Sequence, residues 1–202
     1  MTAPILLRTL ILMAAAAVST VPAVAQTVDH DVSVVIPTTI GIRMVGAGTG
    51  PRAVDFGYAE GYTSYLSAAE TGMRLPPTAV SRFDDIEVNV NGFGLWSVYV
   101  EATAFAYSGS GDGTGLELAD IRLDRGSTSG LTQDAITTFW FFGSYDATWT
   151  LSSNPQRIAR SLLGTGGWRS LGFNGWDYSL AVDGDEEAGT YTTTVTYYLT
   201  FP

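Results

Sequence analysis

Few side chains in this sequence could carry covalent chemistry. The chain has one histidine, no cysteine, and ten basic residues that are all arginine. Thiol nucleophiles, Cys/His zinc sites and Schiff-base lysines are therefore excluded. His30 is the one imidazole, and a general base needs an orienting carboxylate and a nucleophile within reach. Its neighbours Asp29 and Asp31 point away from it on an extended segment, so His30 reads as a strand or surface residue. Asp84, Asp85 and Glu87 form an acidic cluster. Paired carboxylates hydrolyse glycosides when they face each other across a substrate. Adjacent strand residues face opposite ways, so these read instead as solvated charges that discourage edge-to-edge pairing. Asp183-Gly184-Asp185-Glu186-Glu187 places four carboxylates in one loop. That density suits Ca²⁺, but the spacing does not fit an EF-hand loop, and a solvated hairpin turn is the preferred reading. Gly111-Asp112-Gly113-Thr114-Gly115 lacks the lysine of a phosphate loop. No catalytic residue, metal or cofactor is assigned, and the chain is read as a non-enzyme.

Binding is the chemistry that remains. Aromatic residues make up 12% of the chain. Trp96, Trp140 and Trp149 alternate within apolar runs and read as core, where a large ring fills space between sheets. Trp168 and Trp176 lie in a glycine-rich stretch. With Asn174 and Asp177 they form the candidate ligand-binding group, because a sugar stacks on indole faces while amides and carboxylates bind its hydroxyls.

The elements that position these residues follow from periodicity. Tyr191, Thr193, Val195, Tyr197, Leu199 and Phe201 share one face of an extended run whose other face is mostly threonine. Such alternation is the mark of a half-buried antiparallel strand. The same logic marks strands over 28–36, 40–44, 88–90, 96–104, 116–124 (with a bulge near Leu118-Ala119), 136–142, 147–151 and 178–182, with a weaker one near Val54. Glycine-rich clusters separate them. One segment reads as a helix, residues 156–163, capped by Ser153-Asn154-Pro155. Residues 62–81 read as a loop excursion. The expectation is an all-β fold: a single antiparallel β-sandwich, immunoglobulin-like or jelly-roll-like, with little helix, over residues 26–202.

Residues 1–25 predict a signal peptide: Arg8, a short apolar run, Pro22, then Ala23-Val24-Ala25 as a small-x-small cleavage pattern. The run is too short to span about 30 Å of hydrocarbon. Loss of Arg8 takes the formal net charge from −10 to −11. With an isoelectric point near 4.3, that balance argues against nucleic acid and anionic membrane as partners. The expectation is an exported chain, secreted or at the cell surface, with no membrane span after cleavage.

The carboxyl-terminal stretch Ala188-Gly189-Thr190-Tyr191 and the Thr-rich run ending Tyr197-Tyr198-Leu199 resemble the closing strand of exported β-sandwich surface proteins. These include WxL-type cell-surface domains and fimbrial or spore-coat subunits. Trp149-Thr150-Leu151 matches the Trp-x-Leu tripeptide of the WxL type, and Trp96-Ser97-Val98 is similar to it. The resemblance implies a non-catalytic structural or adhesion-type surface protein. Its expected partners are copies of itself or cell-wall glycan. The segment carrying Val28, Val32, Val34 and Ile36 is extended and free of glycine, so it is the candidate strand for pairing with a neighbour's open sheet edge.

Overall fold

The computed structural model describes residues 33–34, 40–58, 62–126, 143–145 and 147–201. The signal peptide, His30, Val28, Val32, Ile36 and the strand expected over 136–142 with Trp140 lie outside the described residues. The chain divides into two units, Met1–Ile36 and Pro37–Pro202. In the first, Ser33 and Val34 are described; both are exposed, Val34 at 76%.

The second unit is all-β, as the alternation predicts, and every strand pair is antiparallel. Strands are numbered in chain order. A three-stranded sheet runs β1 (Ile40–Val45), β4 (Asp85–Val90), β11 (Arg169–Ser170). A four-stranded sheet runs β14 (Val195–Thr200), β5 (Trp96–Ala102), β10 (Gln156–Ser161), β8 (Gly143–Tyr145). A third sheet runs β12 (Tyr178–Leu180), β7 (Ile121–Asp124), β9 (Thr148–Thr150). Two ribbons pair β13 (Gly189–Thr192) with β6 (Ala106–Gly109), and β2 (Ala53–Asp55) with β3 (Ala79–Ser81). The core lies on the inward faces of the middle strands. Ile86, Val88 and Val90 of β4, and Trp96, Val98 and Val100 of β5, are buried. Phe83 ties the sheets together, with edge-on ring contacts at 6.1–6.3 Å to Phe173, Tyr178 and Tyr197.

The closing strand keeps its predicted alternation. Tyr191, Thr193, Val195, Tyr197 and Leu199 are half-buried, and the intervening threonines are exposed. It is nevertheless two strands. Thr192 pairs with Ala106 and Val195 with Ala102, so the β5–β6 side carries one extra residue. Thr103 bridges this bulge: its N–H donates to the Thr194 carbonyl (3.0 Å), and its hydroxyl accepts from the Thr194 N–H (3.0 Å). A bulge of this kind adds twist and lets one chain serve two sheets.

Three expectations are corrected. Residues 156–163 are not a helix; Gln156–Ser161 is β10, held between β5 and β8. A register shift between Arg157 and Ala159 turns consecutive residues Ile158 and Ala159 inward. That breaks the period of two and leaves Ile158 and Leu162 mimicking a helical face. The helix is instead α1 (Tyr62–Thr71), within the segment read as a loop. It buries Ala68 against the core. The phase change near Leu118 is a single 3-10 turn, Leu118–Asp120, rather than a bulge.

Candidate functional site

The four residues proposed for ligand contact lie on one extended segment alongside β4. Arg169 is opposite Val88 and Ser170 opposite Glu87. Leu171 N–H donates to the Ile86 carbonyl (2.8 Å), and Gly175 N–H to the Phe83 carbonyl (2.9 Å). Trp168 and Trp176 therefore sit at opposite ends of the segment, one beside β11 and the other in the 3-10 turn Gly175–Asp177. Both are exposed, at 39% and 41%. They do not form one aromatic platform.

Trp168 rests on the outer face of the β1–β4–β11 sheet. A Cβ on Gly41 would lie 2.8 Å from its ring, so only glycine leaves room for the indole. The Arg43 guanidinium covers the ring at 4.2 Å from the centroid. Glu87, directly opposite Arg43 in register, accepts from Arg43 Nε at 2.7 Å. Arg43, Trp168 and Glu87 thus form a closed surface cluster. Sequence reasoning missed Arg43 and Gly41. A glycine inside an otherwise alternating strand is the signal that marks such a close approach.

Asn174 and Asp177 are engaged with backbone. They cap the 3-10 turn Gly175–Asp177 reciprocally: Asn174 Oδ1 accepts from the Trp176 N–H (2.9 Å), and Asp177 Oδ2 accepts from the Asn174 N–H (3.0 Å). Asp177 is 1% exposed. Its carboxylate frames the turn that presents Trp176. Trp149 and Leu151 of the Trp-x-Leu tripeptide are core residues on and just after β9.

The acidic loop Asp183–Glu187 is a hydrogen-bonded turn. Glu186 accepts from the N–H groups of Asp183 (2.9 Å) and Gly184 (3.0 Å) and from the Tyr65 hydroxyl. Burial, then Glu186, holds the Tyr65 phenol protonated well above the usual range. Glu187 accepts from the N–H groups of Gly113 and Thr114, which locks the Gly111–Gly115 tip to this loop. Asp183 and Asp185 remain exposed, and carboxylate oxygens of Asp183, Asp185 and Glu186 lie within 4.8 Å of one another. Hydrogen bonding and repulsion from Asp183 push the Asp185 carboxyl upward. Among the Asp84 group, Asp84 accepts from the Ala47 N–H (3.1 Å) and Glu87 pairs with Arg43, so both serve the strand framework.

No described helix is long and apolar enough to cross a membrane. Comparison with protein-family models, with curated proteins and with solved structures found no match to this chain.

Proposed function

We propose that this is an exported, non-catalytic surface protein that assembles with copies of itself by strand pairing. The observation that carries the reading is the outer edge of β14. Among the described residues β14 pairs only with β5. Natural edge strands are usually blunted by charge, proline or a bulge. Val195–Thr200 holds none of these within its six residues. Its inward residues Val195, Tyr197 and Leu199 are half-buried, whereas their counterparts on β5 are buried. Such an edge accepts an added strand: main-chain hydrogen bonds supply affinity and alternate side chains fill the half-covered face. Val28, Val32, Val34 and Ile36 provide a segment of matching period.

Deletion of residues 27–37 tests this directly. The expected product is a folded monomer that forms no filaments under the electron microscope, while the intact mature chain does. Loss of the fold on deletion would make the segment an ordinary strand of its own domain. The glycan alternative rests on Trp168 and Trp176. Retention of a monomeric chain on insoluble polysaccharide, abolished by Trp176→Ala, would replace the assembly reading.

A further inference from the structure

Among the described residues, one end of the second unit is built from uncharged segments. The β4–β5 hairpin tip (residues 91–95), the β10–β11 loop (residues 162–168) and the last residues of the chain converge there. Gly94 N–H donates to the Leu162 carbonyl (3.1 Å), Thr165 N–H to the Val90 carbonyl (2.7 Å) and Trp96 Nε1 to the Leu163 carbonyl (2.7 Å). A Cβ on Gly94 would lie 2.9 Å from the Phe201 ring, and Ile40 is opposite Val90. No Asp, Glu, Arg or His occurs in residues 88–100, 161–168 or 188–202.

Large apolar side chains at this end face solvent. Phe93 is 75% exposed, Leu95 50% and Ile40 47%. Exposed apolar residues scattered singly carry no message, but a gathered patch marks a protein or membrane interaction site. Guanidiniums stand just behind the patch. Arg160 is opposite Ser97, one residue in from Trp96, and Arg169 is opposite Val88, two residues in from Val90; both are exposed. At the rise of a strand that is roughly 3–7 Å behind the strand ends. Carboxylates are engaged or distant: Glu87 pairs with Arg43, and Glu101 is opposite Thr196, near the other end of β5. The exposed Asp183 and Asp185 lie in the loop before β13, and the β13–β14 run leads from there to the apolar end.

We propose that this end inserts into the interface of a zwitterionic phospholipid bilayer, with Phe93, Leu95 and Ile40 at the acyl boundary and Arg160 and Arg169 at the phosphates. The spacing suits it: interfacial elements bury their apolar face by about 5–10 Å, and a guanidinium matches phosphate geometry with paired hydrogen bonds. A second copy fits less well. Three side chains that are about half to three-quarters exposed present roughly a few hundred Å², short of the ~800 Å² per partner of a stable interface. A fluid lipid phase closes around a hairpin tip on all sides, which a rigid surface does not. The net charge of −10 disfavours an anionic bilayer, so the lipid is zwitterionic. This goes beyond strand pairing, since it uses neither residues 27–37 nor the β14 edge.

Flotation of the mature chain with phosphatidylcholine vesicles tests it. The chain is expected to float with the lipid, and Phe93→Ser combined with Leu95→Ser to lower the partition coefficient by roughly tenfold or more. Both positions are exposed, so the thermal transition of that variant stays unchanged. Arg160→Gln combined with Arg169→Gln lowers partitioning by less. The chain has no cysteine, so Phe93→Cys accepts a single polarity-sensitive dye. Its emission shifts to the blue when vesicles are added, whereas the same dye on Asp185→Cys does not shift. A wild-type chain left in the aqueous layer at millimolar lipid, a double serine variant that floats equally well, or a dye shift at both positions would each overturn the proposal. Self-association without lipid that Phe93→Ser abolishes would put a second copy on this end and overturn it too. Deletion of residues 27–37 is expected to leave flotation unchanged, so this reading and strand pairing fail separately.

Discussion

At the scale of single residues, the most consequential pair lies in the core. The hydroxyls of Tyr178 and Tyr197 meet at 2.6 Å and link β12 to β14. A buried hydroxyl stripped of its partner costs about 1–3 kcal/mol, whereas removing both partners at constant shape is nearly neutral. Tyr178→Phe and Tyr197→Phe are each expected to destabilise by that amount in urea unfolding, and the double variant by less than either. Additive losses would mean that the pair is not coupled. Burial raises both phenols above their ordinary value of 10. The native state thus holds protons that the unfolded chain releases near pH 10. Stability is complete below that pH and falls as pH rises from 10 toward the folded values. Tyrosinate absorbance of these rings should therefore appear with unfolding and not before it.

At the scale of elements, the bulge at Thr103 lets one continuous stretch leave β5 and pair again as β6. Thr103→Val removes the acceptor for the Thr194 N–H and the contact with the Thr193 hydroxyl (3.3 Å). The site is exposed, so the expected loss is about 0.5–1.5 kcal/mol, read as a lower midpoint in denaturant with an unchanged slope. This bulge also shows what the sequence could reveal. Alternation made β1, β4, β5, β7, β9, β12 and β14 legible, because each has one face against the core. β10 was illegible because its own bulge aims Ile158 and Ala159 the same way. β6 was illegible because Ala106-Tyr107-Ser108-Gly109 buries little on either face. At the candidate site, Trp168 and Trp176 are exposed, where the glycine-rich sequence around them left packing and ligand contact both open. That Asn174 and Asp177 serve a capping turn, and that Arg43 reaches Trp168 from β1, depended on a tertiary register that spacing along one chain does not encode.

At the scale of the whole molecule, the fold is completed by its last strand. Thr200 lies opposite Ser97, 103 residues earlier in the chain, and β13 closes onto β6 across a similar span. Long loops must close before such contacts stabilise anything, so folding in milliseconds to seconds is expected. The half-buried side chains Val195, Tyr197, Leu199 and Phe201 each contribute about 1–2 kcal/mol by area. Together that rivals the 5–15 kcal/mol that holds a typical domain together. A chain ending at Thr194 should therefore show no cooperative thermal transition. It should also expose the β5 edge, whose inward residues Val98 and Val100 are already shaped for a partner. A synthetic peptide of residues 195–202 should then bind that edge and restore the transition, while the same peptide with Tyr197→Ser and Leu199→Ser should not. Rescue would demonstrate that this sheet completes itself by accepting a separate strand, which is the property that assembly between copies requires. A truncated chain that still melts cooperatively would show that β14 is peripheral to the core, and the strand-pairing reading would lose its physical basis.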